Sequence, residues 1–168
     1  GGTPVFGPGH GTGHGVTLVA LGPVEQGALF RLMPVDAQRL ALGGHDVGDE
    51  ALFAEFITAG ERIASAYDRL DLAAAMREIM VLTDRANLYI DQHKPWLLAK
   101  DPAQALAVQR ICTQGLNLFR VIAAYLKPVL PVMIAEAERF LGLPPQNWRD
   151  VSRPQLDVTI GPYRPLAT

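Results

Sequence analysis

Asn87, Asp91, Pro95 and Trp96 are the residues of this chain whose types and spacing could do chemistry. Asn87 and Asp91 stand one helical turn apart, so a helix through them puts an amide and a carboxylate on one face. Pro95 fixes the backbone directly before Trp96 and makes the chain present a large flat side chain from a rigid step. His93 and Lys94 flank that break, and Leu97-Leu98-Ala99-Lys100 re-enters helix. An indole held beside an amide and a carboxylate is a platform on which a splayed-out nucleobase can stack. On composition alone, packing is the commoner role of a tryptophan at a helix break.

Other chemistry-bearing residues carry less. Gly9, Gly11 and Gly13 alternate in the way of a phosphate loop, but no strand precedes them, no helix follows, and no Lys-Ser or Lys-Thr closes the loop. His10 and His14 in a glycine-rich stretch, with His45 far away in sequence, fall short of a metal ligand set, so no metal is expected. Cys112 on an apolar helix, with no nearby histidine, reads as a core thiol. Arg85, Lys94, Arg120 and Lys127 are candidate phosphate contacts, each as readily a solvated charge. Trp148 follows Pro144-Pro145 and reads as packing.

The elements that must position Trp96 can be read from caps and periods. Asp49 and Glu50 cap a helix running to about Leu70, with Leu52, Phe53, Phe56, Ile63, Ala66 and Tyr67 recurring at helical intervals. Asp71 caps a second helix, whose stripe of Leu72, Ala75, Met76, Ile79, Thr83, Ala86 and Ile90 predicts its buried face. Asp101-Pro102 starts a third, running to about Tyr125. Val108, Cys112, Gly115, Phe119 and Ile122 form one apolar stripe on it, and Ile111, Leu118 and Val121 another, so it should lie centrally. Gly115 lowers helix propensity by about 1 kcal/mol relative to Ala, which predicts close helix packing there. Pro128 and Pro131 break and restart the chain, and a fourth helix runs to about Leu141. The tail from Val151 reads as irregular or extended.

Composition bounds the class. The chain of 168 residues is 49% apolar and 19% charged, which is globular rather than disordered. No apolar run is long enough to span a bilayer, so no membrane partner is expected. One cysteine fits a reducing, cytoplasmic setting. The net charge of −2 is unlike that of proteins that grip nucleic acid through phosphates. Recognition by this chain would therefore rest on a few unstacked bases, with a shallow salt dependence. Twelve of the 16 glycines lie in residues 1–48, where only Val16 to Leu21 looks like a strand. A boundary is expected in Gly43 to Gly48.

From about Asp49 onward the chain resembles the C-terminal anticodon-binding helical domain of bacterial methionyl-tRNA synthetase. The matching segments include Ala75-Met76-Arg77-Glu78-Ile79-Met80, Asp84-Arg85-Ala86-Asn87, Tyr89-Ile90-Asp91 and Lys94-Pro95-Trp96-Leu97-Leu98-Ala99-Lys100. Further on come Ile111-Cys112, Asn117-Leu118-Phe119-Arg120 and Tyr125-Leu126-Lys127-Pro128-Val129-Leu130-Pro131. The resemblance implies an all-α bundle of four to five helices over 49–168, of the class I synthetase anticodon-binding type. It also implies Trp96 and Pro95 stacking on the first anticodon base, a cytosine, and Asp91 accepting a hydrogen bond from that base's exocyclic amine, with Asn87 nearby. The implied partners are the methionine tRNA anticodon loop and the catalytic domain of a parent ligase. ATP with Mg and methionine belong to that parent, and no cofactor is expected in this chain, which is not expected to be catalytic by itself.

Residues 1–48 depart from the family pattern. The family carries an upstream helix whose Asn and Arg read the anticodon, and this segment shows no counterpart; a fusion, an out-of-frame reading or a misassigned start would account for it. The chain stops near where the core family sequence ends, without an appended dimerisation domain. Gln92 stands where many members are acidic. The rival reading is a helical interaction or homo-oligomerisation module that has lost RNA recognition. An enzyme built on the glycine-rich segment is the weakest alternative.

Overall fold

The computed structural model describes residues 49–140 and 142–156. The glycine-rich segment, His10, His14, His45, the expected Val16 to Leu21 strand, the expected boundary at Gly43 to Gly48, the expected helix end at Leu141 and the chain end lie outside the described residues. Five α-helices and two short 3-10 turns make up the described residues, with no strand among them. The helices are α1 (Glu50–Asp68), α2 (Leu72–His93), α3 (Pro95–Leu98), α4 (Ala105–Leu126) and α5 (Pro131–Phe140). The 3-10 turns are Pro102–Gln104 and Asp150–Ser152.

The predicted caps form. Asp49 Oδ1 accepts from the Leu52 amide at 2.8 Å, and Asp71 Oδ1 from the Ala74 amide at 2.9 Å, each satisfying an amide that has no partner inside its helix. Asp101 Oδ1 accepts from Ala103 N at 3.0 Å, but the turn it caps is 3-10, and α4 proper starts at Ala105.

α4 is the spine, packing against α1, α2, α3, α5 and both 3-10 turns. Its apolar stripes are buried as expected, Cys112 among them. At Gly115 a β-carbon would lie 3.0 Å from Ile90 Cδ1, so the predicted close approach is there, against α2. The second close approach, at Gly60 on α1, was not anticipated; a β-carbon there would sit 2.6 Å from Tyr125 Oη.

The predicted stripe of α2 fails at one end. Leu72 is 51% exposed and Met76 half-buried, because the first turn of α2 overhangs the tight turn at Leu70, where φ is 57°, before it packs into the core. The rest of the stripe, Ala75, Ile79, Thr83, Ala86 and Ile90, is buried.

Proline shapes the far end of α4. Pro128 has no N–H to give the Ala124 carbonyl, and the Val129 amide turns to Leu126 O instead of Tyr125 O. Two aromatic side chains fill these vacancies: Trp148 Nε1 donates to Ala124 O at 3.1 Å, and Tyr67 Oη to Tyr125 O at 2.7 Å. Trp148 also packs its ring on Tyr125 and Tyr67, with centroids 4.6 and 6.3 Å apart. The packing role expected for Trp148 is thus given a cause.

Candidate nucleic-acid interface

The site is built where α2 stops. Proline at 95 disfavours helical backbone at the residue before it and steers that residue toward extended geometry. Lys94 instead adopts the left-handed region, φ 45° and ψ 56°, at a cost of roughly 1–2 kcal/mol for a residue with a β-carbon. That conformation serves two helices. The Lys94 amide donates to Ile90 O at 2.9 Å, closing α2, and its carbonyl accepts from Leu97 N at 2.8 Å, opening α3. Pro95 is buried and anchors the step. Trp96 therefore leaves the chain from the second position of a one-turn helix that packs against α4, where Leu98 and Ala99 cover Val108 and Cys112.

Trp96 is half-buried, its ring resting on the main core without being sealed in it. Its indole N–H meets no protein acceptor among the described residues and is not among the buried unpartnered atoms, so it reaches solvent. No aromatic ring pairs with it there either. The two tryptophans, both half-buried, thus differ in what they engage: Trp148 donates its N–H to Ala124 O and packs its ring on Tyr125 and Tyr67, while Trp96 has neither a hydrogen-bond acceptor nor an aromatic partner among the described residues.

Asp91 is exposed and Asn87 half-buried, about 40° apart around α2, as i and i+4 positions must be. Neither side chain has a hydrogen-bond partner among the described residues. The Asn87 side chain neither caps a helix nor hydrogen-bonds across to another among the described residues. Asn87, Asp91 and Trp96 share unengaged hydrogen-bonding capacity.

Three of the four candidate phosphate contacts are engaged elsewhere. Arg85 holds Glu55 on α1 through two bonds of 2.8 and 3.1 Å, and this carboxylate raises its pKa. Lys127 Nζ lies 2.8 Å from Glu138 Oε1 and 2.9 Å from the Gln146 carbonyl. Arg120 is buried; burial lowers its pKa, with Asp150 opposing. It donates to Asn117 Oδ1 at 2.9 Å and Gln146 Oε1 at 2.6 Å, and its Nε has no partner. Asn117 in turn holds the Gln155 backbone at both N and O. This polar seam straps residues 146–155 onto α4. Thr113, Asn117 and Arg120, spaced at helical intervals inside an apolar helix, were its signal in the sequence.

The other flank of α2 faces α1. There a groove of about 260 Å³ is lined by Leu52, Glu55, Arg85, Leu88, Tyr89 and His93 among others. None of Asn87, Asp91, Pro95 or Trp96 lines it. His93 is folded back on Tyr89, ring centroids 4.2 Å apart and Nδ1 2.8 Å from Tyr89 O. Burial pushes the Tyr89 phenol up to about 12, with Asp49 adding to the shift. Among the described residues, no group of three or more His, Cys, Asp or Glu could hold a metal, and no helix is long and apolar enough to cross a membrane.

A family model, the anticodon binding domain of methionyl tRNA ligase, matches residues 42–161. The chain belongs to this family. The methionine–tRNA ligase of Xanthomonas oryzae pv. oryzae strain PXO99A is 50% identical over 120 residues, covering 71% of this chain and 17% of that protein. That of Xanthomonas campestris pv. campestris strain B100 matches at the same identity and coverage. The chain thus spans about a sixth of the length of these curated relatives. The crystal structure of apo Mycobacterium tuberculosis methionyl-tRNA synthetase superposes with a TM-score of 0.68 over 78% of this chain and 28% of that one, at 22% identity, and shares the fold. The all-α expectation and the family resemblance are both met.

Proposed function

We propose that this anticodon-binding domain recognises the methionine anticodon by stacking the first anticodon base, a cytosine, on Trp96. Asp91 accepts a hydrogen bond from the exocyclic amine of that base, and Asn87 supplies a further polar contact from the same face of α2. Pro95 holds the step from which Trp96 is presented. The observation that carries this reading is the unengaged indole of Trp96, half-buried with a free N–H, following in sequence the last two turns of α2, whose Asn87 and Asp91 side chains also lack partners among the described residues. A base with its Watson–Crick edge exposed can use all three at once, and a net charge of −2 suits recognition by bases. The domain contributes binding and discrimination to a cytoplasmic parent ligase, whose ATP, Mg and methionine chemistry lies outside the residues described.

Base–aromatic stacking is worth about 1–3 kcal/mol per base, so Trp96→Ala should weaken binding of a methionine anticodon stem-loop by roughly ten- to a hundredfold. Fluorescence anisotropy with the full chain measures it. Unchanged affinity removes the assignment.

One observation favours a second reading, an interaction or oligomerisation module. Val132 on α5 is 73% exposed and its neighbours Val129 and Met133 are also exposed. Light scattering with and without the stem-loop separates the two: self-association with no RNA response supports the module.

A further inference from the structure

Resting on the stacking reading above, we propose that Val108 and Cys112, two buried side chains of α4, are positioning residues for Trp96. They seat the far end of α3 and so fix the plane in which the indole is offered to a base. The two stand one turn apart on α4 and form a small cluster of their own. The other buried side chains of the hydrophobic core, among the described residues, all join the main cluster. Leu98 and Ala99 pack on the pair, and Leu98 also touches the main cluster on which the Trp96 ring rests.

α3 needs such a seat because it cannot keep a direction by itself. Isolated helices shorter than about 12 residues are marginal in water, and this one has 4. Its backbone bonds stay local. The Leu97 and Leu98 amides reach Lys94 O at 2.8 and 3.4 Å, Ala99 N reaches Pro95 O at 2.8 Å, and Asp101 N reaches Leu98 O at 3.0 Å. Among the described residues no hydrogen bond ties α3 to α4. Packing alone therefore sets the tilt of α3. Pro95, Leu98 and Ala99 stand at i, i+3 and i+4 and make its inward face, with Leu97 exposed opposite and Trp96 about 100° round from Pro95.

The near end of α3 is held separately. The Ile90 carbonyl takes the Lys94 amide at 2.9 Å, and Ile90 lies against Gly115, where a β-carbon would be 3.0 Å from its Cδ1. Val108, Cys112 and Gly115 share one stripe of α4, so that stripe receives α2 at one point and α3 at another. Loss of volume at Val108 or Cys112 frees the far end to rock about the near one, and the ring carried between them turns with it. Aromatic stacking depends on the relative planes of the two rings.

In a Trp148→Phe background Trp96 is the sole tryptophan, and its emission reports on the seat without RNA. Val108→Ala, Cys112→Ala, Leu98→Met and, as a control on the strap held by Arg120, Val151→Ala are compared well below their unfolding midpoints. Val108→Ala and Cys112→Ala should lower the emission anisotropy of Trp96 and raise its quenching by acrylamide. Leu98→Met, which keeps the volume, and Val151→Ala should do neither. With Trp148 intact, Val108→Ala and Cys112→Ala should also reduce the preference for the methionine anticodon stem-loop over one with its first anticodon base replaced. The reduction should be about three- to tenfold, a part of what the whole stack contributes. Unchanged emission in both variants overturns the proposal, and so does an equal response to Val151→Ala, which would mark a general loosening. Changed emission with unchanged preference, while Trp96→Ala still loses it, overturns the link from seat to recognition. If Trp96→Ala changes nothing, or the unchanged chain binds neither RNA, the stacking reading fails and the emission alone decides the seat. Should Val108→Ala fail to fold, Cys112→Ala carries the test.

Discussion

Replacing each of two helical glycines with alanine should have clearly different effects, because of what the new methyl group meets. At an unobstructed helix position Gly→Ala stabilises by about 1 kcal/mol. At Gly60 the added β-carbon would lie 2.6 Å from Tyr125 Oη, 3.1 Å from Cζ and 3.3 Å from Cε1, a buried ring anchored by its hydroxyl to Phe56 O at 2.9 Å. The ring cannot rotate away, so it must translate. That loses a hydrogen bond of about 1 kcal/mol and overpacks the α1–α4 seam by about 1–3 kcal/mol. Gly60→Ala should therefore destabilise by a net 1–3 kcal/mol or so. At Gly115 the methyl would meet Ile90 Cδ1 at 3.0 Å, with Cγ1 at 3.8 Å. A terminal methyl can give by a few tenths of an ångström, and the propensity gain offsets about 1 kcal/mol, so the net change should fall within about 1 kcal/mol of zero. Urea denaturation followed by far-ultraviolet circular dichroism measures both. Adding Tyr125→Phe to Gly60→Ala removes the closest atom and should recover about 1 kcal/mol through coupling of the two sites. The reasoning is refuted if Gly60→Ala equals the parent in stability, or if Gly115→Ala costs more than Gly60→Ala.

Two further outcomes follow from the packing. Trp148→Phe deprives the Ala124 carbonyl of the donor that replaces the missing Pro128 amide; it should lower stability by about 1–3 kcal/mol and leave stem-loop affinity unchanged, the converse of Trp96→Ala. Alkaline pH should destabilise the fold. Burial raises Cys112 from 9.0 to about 12, and Tyr89 and Tyr125 from 10.0 to about 12. The folded state thus holds protons that the unfolded chain releases, so this stability is fully present below about pH 9 and is lost as pH rises toward 12. Thermal midpoints across that window check it, and a flat profile would contradict it. Cys112 should likewise stay unreactive to thiol reagents until the chain unfolds.

What was legible in the sequence is what lies within one or two helical turns. Caps at Asp49 and Asp71 and the stripes of α1 and α4 depend on a period of 3.6 residues and on backbone chemistry at helix ends, both local properties. The break at Pro95 was equally legible, because proline cannot continue the helix before it. The single methyl-sized gap at Gly115 could be guessed from a costly residue in an otherwise strong helix. Leu72 was misread because a stripe says which face is apolar and not where the neighbouring helix begins to cover it.

The availability of each functional side chain came only from the tertiary structure. Arg85 meets Glu55 across 30 residues of sequence and Trp148 meets Ala124 across 24, while Arg120 reaches Gln146 across 26. Such pairings depend on how helices dock, and no local period encodes them. By types and spacing alone, Trp96 and Trp148 were two tryptophans near prolines, and Arg85, Lys94, Arg120 and Lys127 four interchangeable cations. The docking of the helices engaged the N–H of one tryptophan and left that of the other without a partner, and it paired or buried three cations and left Lys94 without one. Residue types along the chain determined which groups could recognise a base; the docking of the helices decided which of them remained unengaged to do so.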